Sequence, residues 1–306
     1  MAVEAKPQSA DGYSAAQTHT CEQVLVTLLS AFGSLKDTIR LVGGLVPRYL
    51  TPEQYPDVPA HFGTSDVDVA LNLSVLASGK YTSLSKQLLA RGFKRWVDPK
   101  NGWDTAWRWE YQISPKQVVL VEFLRGSTDD CPPSKIAALD GEDVSALSVE
   151  HMEIVHDWYA SRKIEAEMLG DRGVTIETVH YADVPAFIIL KALAFHSRAE
   201  KKDSGDLIHV MRFAGTLEDV VGQFVARANS GLHPEAVKAC RIALKERFCS
   251  TLKTEGHDLI GPKSYAQFML GKGADDEELV SEARYASGLI ENFLKLLERD
   301  LGPVDN

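Results

Sequence analysis

Residues 66–73, DVDVALNL, alternate without a fault. Val67, Val69, Leu71 and Leu73 fall on one side, and Asp66, Asp68, Ala70 and Asn72 on the other. A strict period of two belongs to a β-strand, because successive side chains leave a strand on opposite faces. The apolar side must be buried, so both carboxylates leave together on the opposite face. Like charges at that spacing repel, and the pair needs a cation nearby or a raised pKa on one acid. The segment therefore demands a sheet with one face in a core and a cation-seeking face turned to a cleft.

A second segment meets the same demand. Residues 118–124, VVLVEFL, form the most apolar run of the strand-like segments and read as a central strand, yet Glu122 sits alone within it. A charge there is expensive without a partner. Laid beside residues 66–73, this strand brings Glu122 to Asp66 and Asp68. Hard divalent cations such as Mg²⁺ take oxygen ligands of this kind. Carboxylates around such ions serve to activate an attacking hydroxyl and to stabilise a leaving pyrophosphate. Just upstream, residues 37–42, DTIRLV, read as a short strand that stops at Gly43-Gly44 and opens an apolar helical stretch. Glycines let backbone N–H groups approach a phosphate, and a helix N-terminus favours an anion. Thr64 and Ser65 add hydroxyls beside the acids.

The rest of the chain divides by pattern. Residues 1–20 are small and polar and read as a flexible lead-in without a secretory signal. Residues 22–35 carry Val24, Leu25, Leu28, Leu29 and Phe32 on one helical face. The proline-rich residues 51–63 and residues 126–148 read as loops, 81–91 as a helix ending at Gly92, and 94–96, 107–113 and 175–179 as strands. Residues 150–169 are mixed in pattern. Asp183 and Pro185 mark a helix start, and the chain beyond is helical, with breaks near 215, 231–234, 256, 261–262 and 271–274. The expected architecture is α+β. A flexible segment over 1–20 leads into a mixed sheet with flanking helices over 21–180, and a helical domain comes after it over 181–306.

Residues 191–207, KALAFHSRAEKKDSGDL, hold a second cluster. Lys191, Phe195, Arg198 and Lys202 are spaced four, three and four apart, which places them on one helix face. Residues 184–202 carry a net +3 inside a chain of net −10. Such a stripe suits a triphosphate or an RNA end. Asp203 and Asp206 either cap the next helix or orient these cations. The overall charge excludes a protein that coats nucleic acid along its surface, although residues 271–306 alone account for a net −5 of it. No apolar run is long enough for a membrane helix. The four cysteines form no C-x-x-C pair and read as free thiols of a cytoplasmic protein. His151 and His156, five apart, do not make a same-face metal pair, and His196 reads as local polar structure. Trp96, Trp103, Trp107 and Trp109 read as core or sheet surface.

The order strand, Gly43-Gly44, helix, Asp66-Val67-Asp68 on a strand, then Glu122 on a later strand, resembles the DNA polymerase β-like nucleotidyltransferase superfamily. The segment 191–207 is similar to the K-x-x-A…R…K-D-x-x-D-L segment of AbiEii-type (MenT-like) nucleotidyltransferases, the toxins of type IV toxin–antitoxin systems. The resemblance covers roughly residues 38–210. It implies a nucleotidyltransferase fold in which Asp66, Asp68 and Glu122 bind Mg²⁺, with Glu122 also a base for the incoming hydroxyl. Gly43, Gly44, Thr64 and Ser65 would attend the nucleotide, with Arg198 beside the phosphates. Lys191 would contact the triphosphate and Asp203 would be essential, with the NTP held between the two domains. The implied reaction moves an NMP from an NTP to a hydroxyl, with a tRNA 3′ end as acceptor and a cognate antitoxin as partner. Two rivals stand beside it. One is transfer to a small molecule or a protein side chain. The other is a catalytically silent module that binds a nucleotide or a partner.

Overall fold

The computed structural model describes residues 6–51, 58–72, 84–138 and 143–304. Leu73, residues 81–83 and the prolines at 52 and 56 lie outside these. The protein is a mixed α+β structure with a mixed sheet and a helical C-terminal region. Chain contacts divide it into two units. One comprises Met1–Lys6, Ser14–Val46 and Gly63–Ala182, and the other Pro7–Tyr13, Pro47–Phe62 and Asp183–Asn306. Among the described residues no helix is long and apolar enough to cross a membrane.

In the first unit, helix α1 (Ala15–Phe32) starts earlier than the apolar pattern predicts and takes in residues expected to be flexible. Ser14 explains the start, since its side chain accepts from the Gln17 N–H and caps the helix. The strands are β1 (Arg40–Val42), β2 (Asp66–Ala70), β3 (Phe93–Val97), β4 (Asp104–Ser114), β5 (Gln117–Gly126), β6 (Ile136–Ala138), β7 (Ser145–Val149), β8 (Tyr159–Glu167) and β9 (Val174–Ala182). A helix α2 (Leu84–Ala90) precedes β3. The sheet runs β3-β4-β5-β2-β1-β9-β8, with β7 pairing further along β5 and β6 pairing β7. Residues 126–148, expected as a loop, thus hold two short strands. SALSV of β7 extends the sheet by pairing parallel to the end of β5, a long-range partner that a five-residue run does not announce. Asp37 and Thr38, expected in a strand, instead close a 3₁₀ turn before β1.

Strand β2 lies parallel to β5 and antiparallel to β1. Val67 pairs with Val121 and Val69 with Phe123, and all four are wholly buried. Phe32 of α1 meets Phe123 edge-on at 6.0 Å between ring centroids. Helix α1 thus covers one face, where each fully buried large side chain contributes about 1.5–3 kcal/mol. The alternation then assigns Asp66, Asp68 and Glu122 to the other face.

In the second unit, α3 (Val184–Arg198) is capped by Asp183, whose carboxylate accepts from the Ala186 N–H, with Pro185 in the first turn. Beyond it come α4 (Lys201–Phe213), α5 (Leu217–Ala228), α6 (Pro234–Phe248), α7 (Ile260–Leu270) and α8 (Asp276–Leu301). Gly261-Pro262, expected as a break, forms the first turn of α7, where proline is tolerated. Helix α8 buries Ala283, Ala286, Ile290, Phe293 and Leu297 along one stripe and starts at a capping box of Asp275 and Glu278. Phe195 packs on Phe248 and Phe224 on Phe293, each at 5.5 Å.

Candidate active site

The register of β2 and β5 sets the first cluster. Asp68 is the Cα partner of Glu122 across the parallel pair, and Asp66 lies two residues before it on the same face. Asp66 and Glu122 are held by different partners. The wholly buried Thr64 donates its hydroxyl to Asp66 Oδ1 at 2.7 Å. Thr64 therefore orients an acid, and its burial keeps it from a ligand's reach. Ser65 is half-buried. Glu122 Oε1 accepts from Arg108 Nε at 2.9 Å, as the β4–β5 register dictates by pairing those two residues. The Arg108 guanidinium lies over the Trp107 ring at 4.1 Å and the Trp96 ring at 5.2 Å. Trp109 is core and Trp103 is exposed.

Gly43 closes the site from β1. It sits at φ +73°, and a Cβ there would fall 2.0 Å from Asp68 Oδ2. Backbone conformation and space both require glycine at this point. Gly44 is buried in the 3₁₀ turn Gly43–Leu45 that comes after β1.

Lys6 supplies a cation that the sequence pattern does not signal. Its ammonium donates to Asp66 Oδ2. Desolvation opposes its charge, but the fields of Asp66, Asp68 and Glu122 override this and hold its pKa above the ordinary lysine value. One ammonium thus senses all three acids. The donor set is all carboxylate oxygen, which suits a hard divalent ion in kind. Among the described residues no three His, Cys, Asp or Glu side chains are already gathered around a metal position. Instead, Asp66 and Glu122 have cationic partners.

The second cluster lies in the helical unit. The Lys191 ammonium bonds Asp203 Oδ1 at 2.9 Å and Asp206 Oδ2 at 2.6 Å. Arg198 grips Asp203 with two N–H groups, at 2.7 and 2.9 Å. Lys202 bonds both oxygens of Asp206, and His61 Nε2 meets Asp206 Oδ1 at 2.9 Å. Burial alone would raise the Asp203 carboxyl, but Lys191 and Arg198 hold it below the usual range. Lys191, Lys202 and His61 hold Asp206 well below it. The same two acids keep the Lys191 ammonium charged despite its burial. Burial pushes His61 down to about 4, so the ring is neutral near pH 7 and donates to Asp206.

This arrangement changes the expected stripe. The helical face does not continue to Lys202, because Ala199 takes a left-handed conformation at φ +52° and ends α3. Asp203 and Asp206 are not N-caps, since α4 begins at Lys201 and their carboxylates bond side chains. The three cations face two buried carboxylates, which leaves one net positive charge. Lys191 is buried among these partners, whereas the Arg198 side chain is 59 % exposed. His61 lacks a sequence signal of its own. Asp206 has one, four residues after Lys202 on one helix. His196 pairs with Glu246 at 2.8 Å.

No protein-family model matches the chain, and no curated protein matches it.

Proposed function

We propose that the protein is a Mg²⁺-dependent nucleotidyltransferase that moves an NMP from an NTP onto a hydroxyl. We place it among AbiEii-type, MenT-like enzymes of the DNA polymerase β-like superfamily, with a tRNA 3′ end as acceptor and toxicity held in check by a cognate antitoxin. The observation that carries the reading is the in-register pairing of Asp68 with Glu122, beside Asp66, around a shared cation field. Asp66, Asp68 and Glu122 would hold Mg²⁺, which when bound neutralises phosphate charge and makes the attacking oxygen more nucleophilic.

The remaining work falls to the chain itself. Gly43 and Gly44 offer backbone N–H groups to phosphate oxygens. Thr64 fixes one oxygen of Asp66. Glu122 takes the proton of the acceptor hydroxyl as its oxygen bonds the α-phosphorus, the bond to the bridging oxygen breaks, and pyrophosphate leaves. Arg108 orients Glu122 through its 2.9 Å ion pair and its stack on Trp107. In the helical unit, Lys191, Asp203 and Asp206 brace Arg198, the exposed cation suited to an anionic ligand.

The test is incubation with each labelled NTP, Mg²⁺ and total tRNA. The expected result is Mg²⁺-dependent label on RNA that is lost in Asp68→Asn. Label on a protein or a small molecule would move the acceptor and keep the reaction. No transfer to any acceptor would overturn the enzyme reading.

A further inference from the structure

Lys6 and Arg108 both serve as counter-cations to the acid face, yet they are held differently. The Arg108 guanidinium is fixed on three sides, by Glu122, Trp107 and Trp96, and its side chain is 32 % exposed. The Lys6 side chain is 59 % exposed and reaches Asp66 through its ammonium end, while the Asp66 side chain is 10 % exposed. Lys6 can therefore swing into water with its charge solvated. Asp66 stays on its strand, still accepting from Thr64, with one cation fewer beside it. A divalent ion and an ammonium cannot share the same carboxylate oxygens, since two cations a few ångströms apart repel strongly in a partly buried setting.

We propose that Lys6 is a displaceable plug of the acid face, an internal cation that a divalent ion must expel before it binds Asp66 and Asp68. This regulation rests on the reading of those acids as metal ligands. While the plug is seated the site is closed to metal, so apparent affinity falls by the fraction of time the site is open. A plug seated nine-tenths of the time weakens metal binding about tenfold. The plug also keeps Asp66 compensated when metal is scarce.

The experiment measures Mn²⁺ binding to the full chain by calorimetry and by the paramagnetic resonance of free Mn²⁺. It is run with and without a non-hydrolysable NTP. Lys6→Met is expected to bind Mn²⁺ about tenfold more tightly than the parent. Lys6→Arg, which keeps the charge, is expected to bind like the parent. Asp68→Asn is expected to weaken binding in either background. Equal affinity of the parent and Lys6→Met, with Asp68→Asn still weakened, would overturn the plug and leave the metal site standing. Mn²⁺ binding that is absent with nucleotide, or indifferent to Asp68→Asn, would overturn the metal site and the plug with it.

Discussion

His61 makes the helical unit sensitive to acid in a way that can be measured. Its side chain is 4 % exposed and bonded to Asp206, with Lys191, Lys202 and His209 as its other charged or titratable neighbours. Its pKa is down at about 4, against 6.5 for an exposed imidazole. Between those two values the unfolded chain binds a proton there and the folded chain does not. Stability therefore falls as pH falls through that window. From pH 7 to pH 5 the linkage amounts to about 2 kcal/mol for this one group, a large share of a typical stability of roughly 5–15 kcal/mol. His156 and His209, held at about 4 and about 3 by burial, push the same way, so the parent's total loss is larger. The difference between proteins isolates His61. His61→Gln keeps an N–H donor for Asp206 but does not titrate. Urea unfolding at pH 7 and pH 5 should show a loss about 2 kcal/mol smaller in His61→Gln than in the parent. Equal losses would refute the claim that the folded site excludes the imidazolium.

Other perturbations test the same geometry. Asp206→Asn leaves Lys191 and Lys202 with one fewer buried carboxylate and should cost about 3–5 kcal/mol in urea unfolding. Because the folded Asp206 pKa is depressed, its contribution is present above about pH 4 and disappears as pH falls through the folded value. Gly43→Ala strains a positive-φ site and pushes on Asp68, so it should destabilise by more than about 1 kcal/mol and weaken Mn²⁺ binding in the same titration. Arg108→Met removes a half-exposed partner of Glu122. Stability should fall by no more than about 1 kcal/mol, while tryptophan emission changes and kcat falls more than KM rises.

Some of this molecule is legible in its sequence because the signal is local. The alternation over residues 66–70 and the lone Glu122 in an apolar run each state which face a side chain takes, and parallel pairing then sets Asp68 against Glu122. Asp183 and Pro185 announce the start of α3 in the same local way. The features that the sequence hides depend on distant partners. Strand β7 is too short to declare itself without β5. Ala199 gives no hint of a left-handed residue, so periodicity runs on through a helix that has ended. Lys6 lies 60 residues from Asp66 and His61 lies 145 from Asp206, in segments whose composition reads as loop.

The break at Ala199 has a consequence for the changes this segment tolerates. Lys191 and Asp203 are 12 residues apart, on two helices joined at one left-handed turn. Each residue of helix rotates the downstream chain by about 100° and advances it about 1.5 Å. A single inserted residue within α3 after Lys191 would carry both aspartates off its ammonium together. The segment is therefore a ruler: many of its exposed letters can change, but its length cannot.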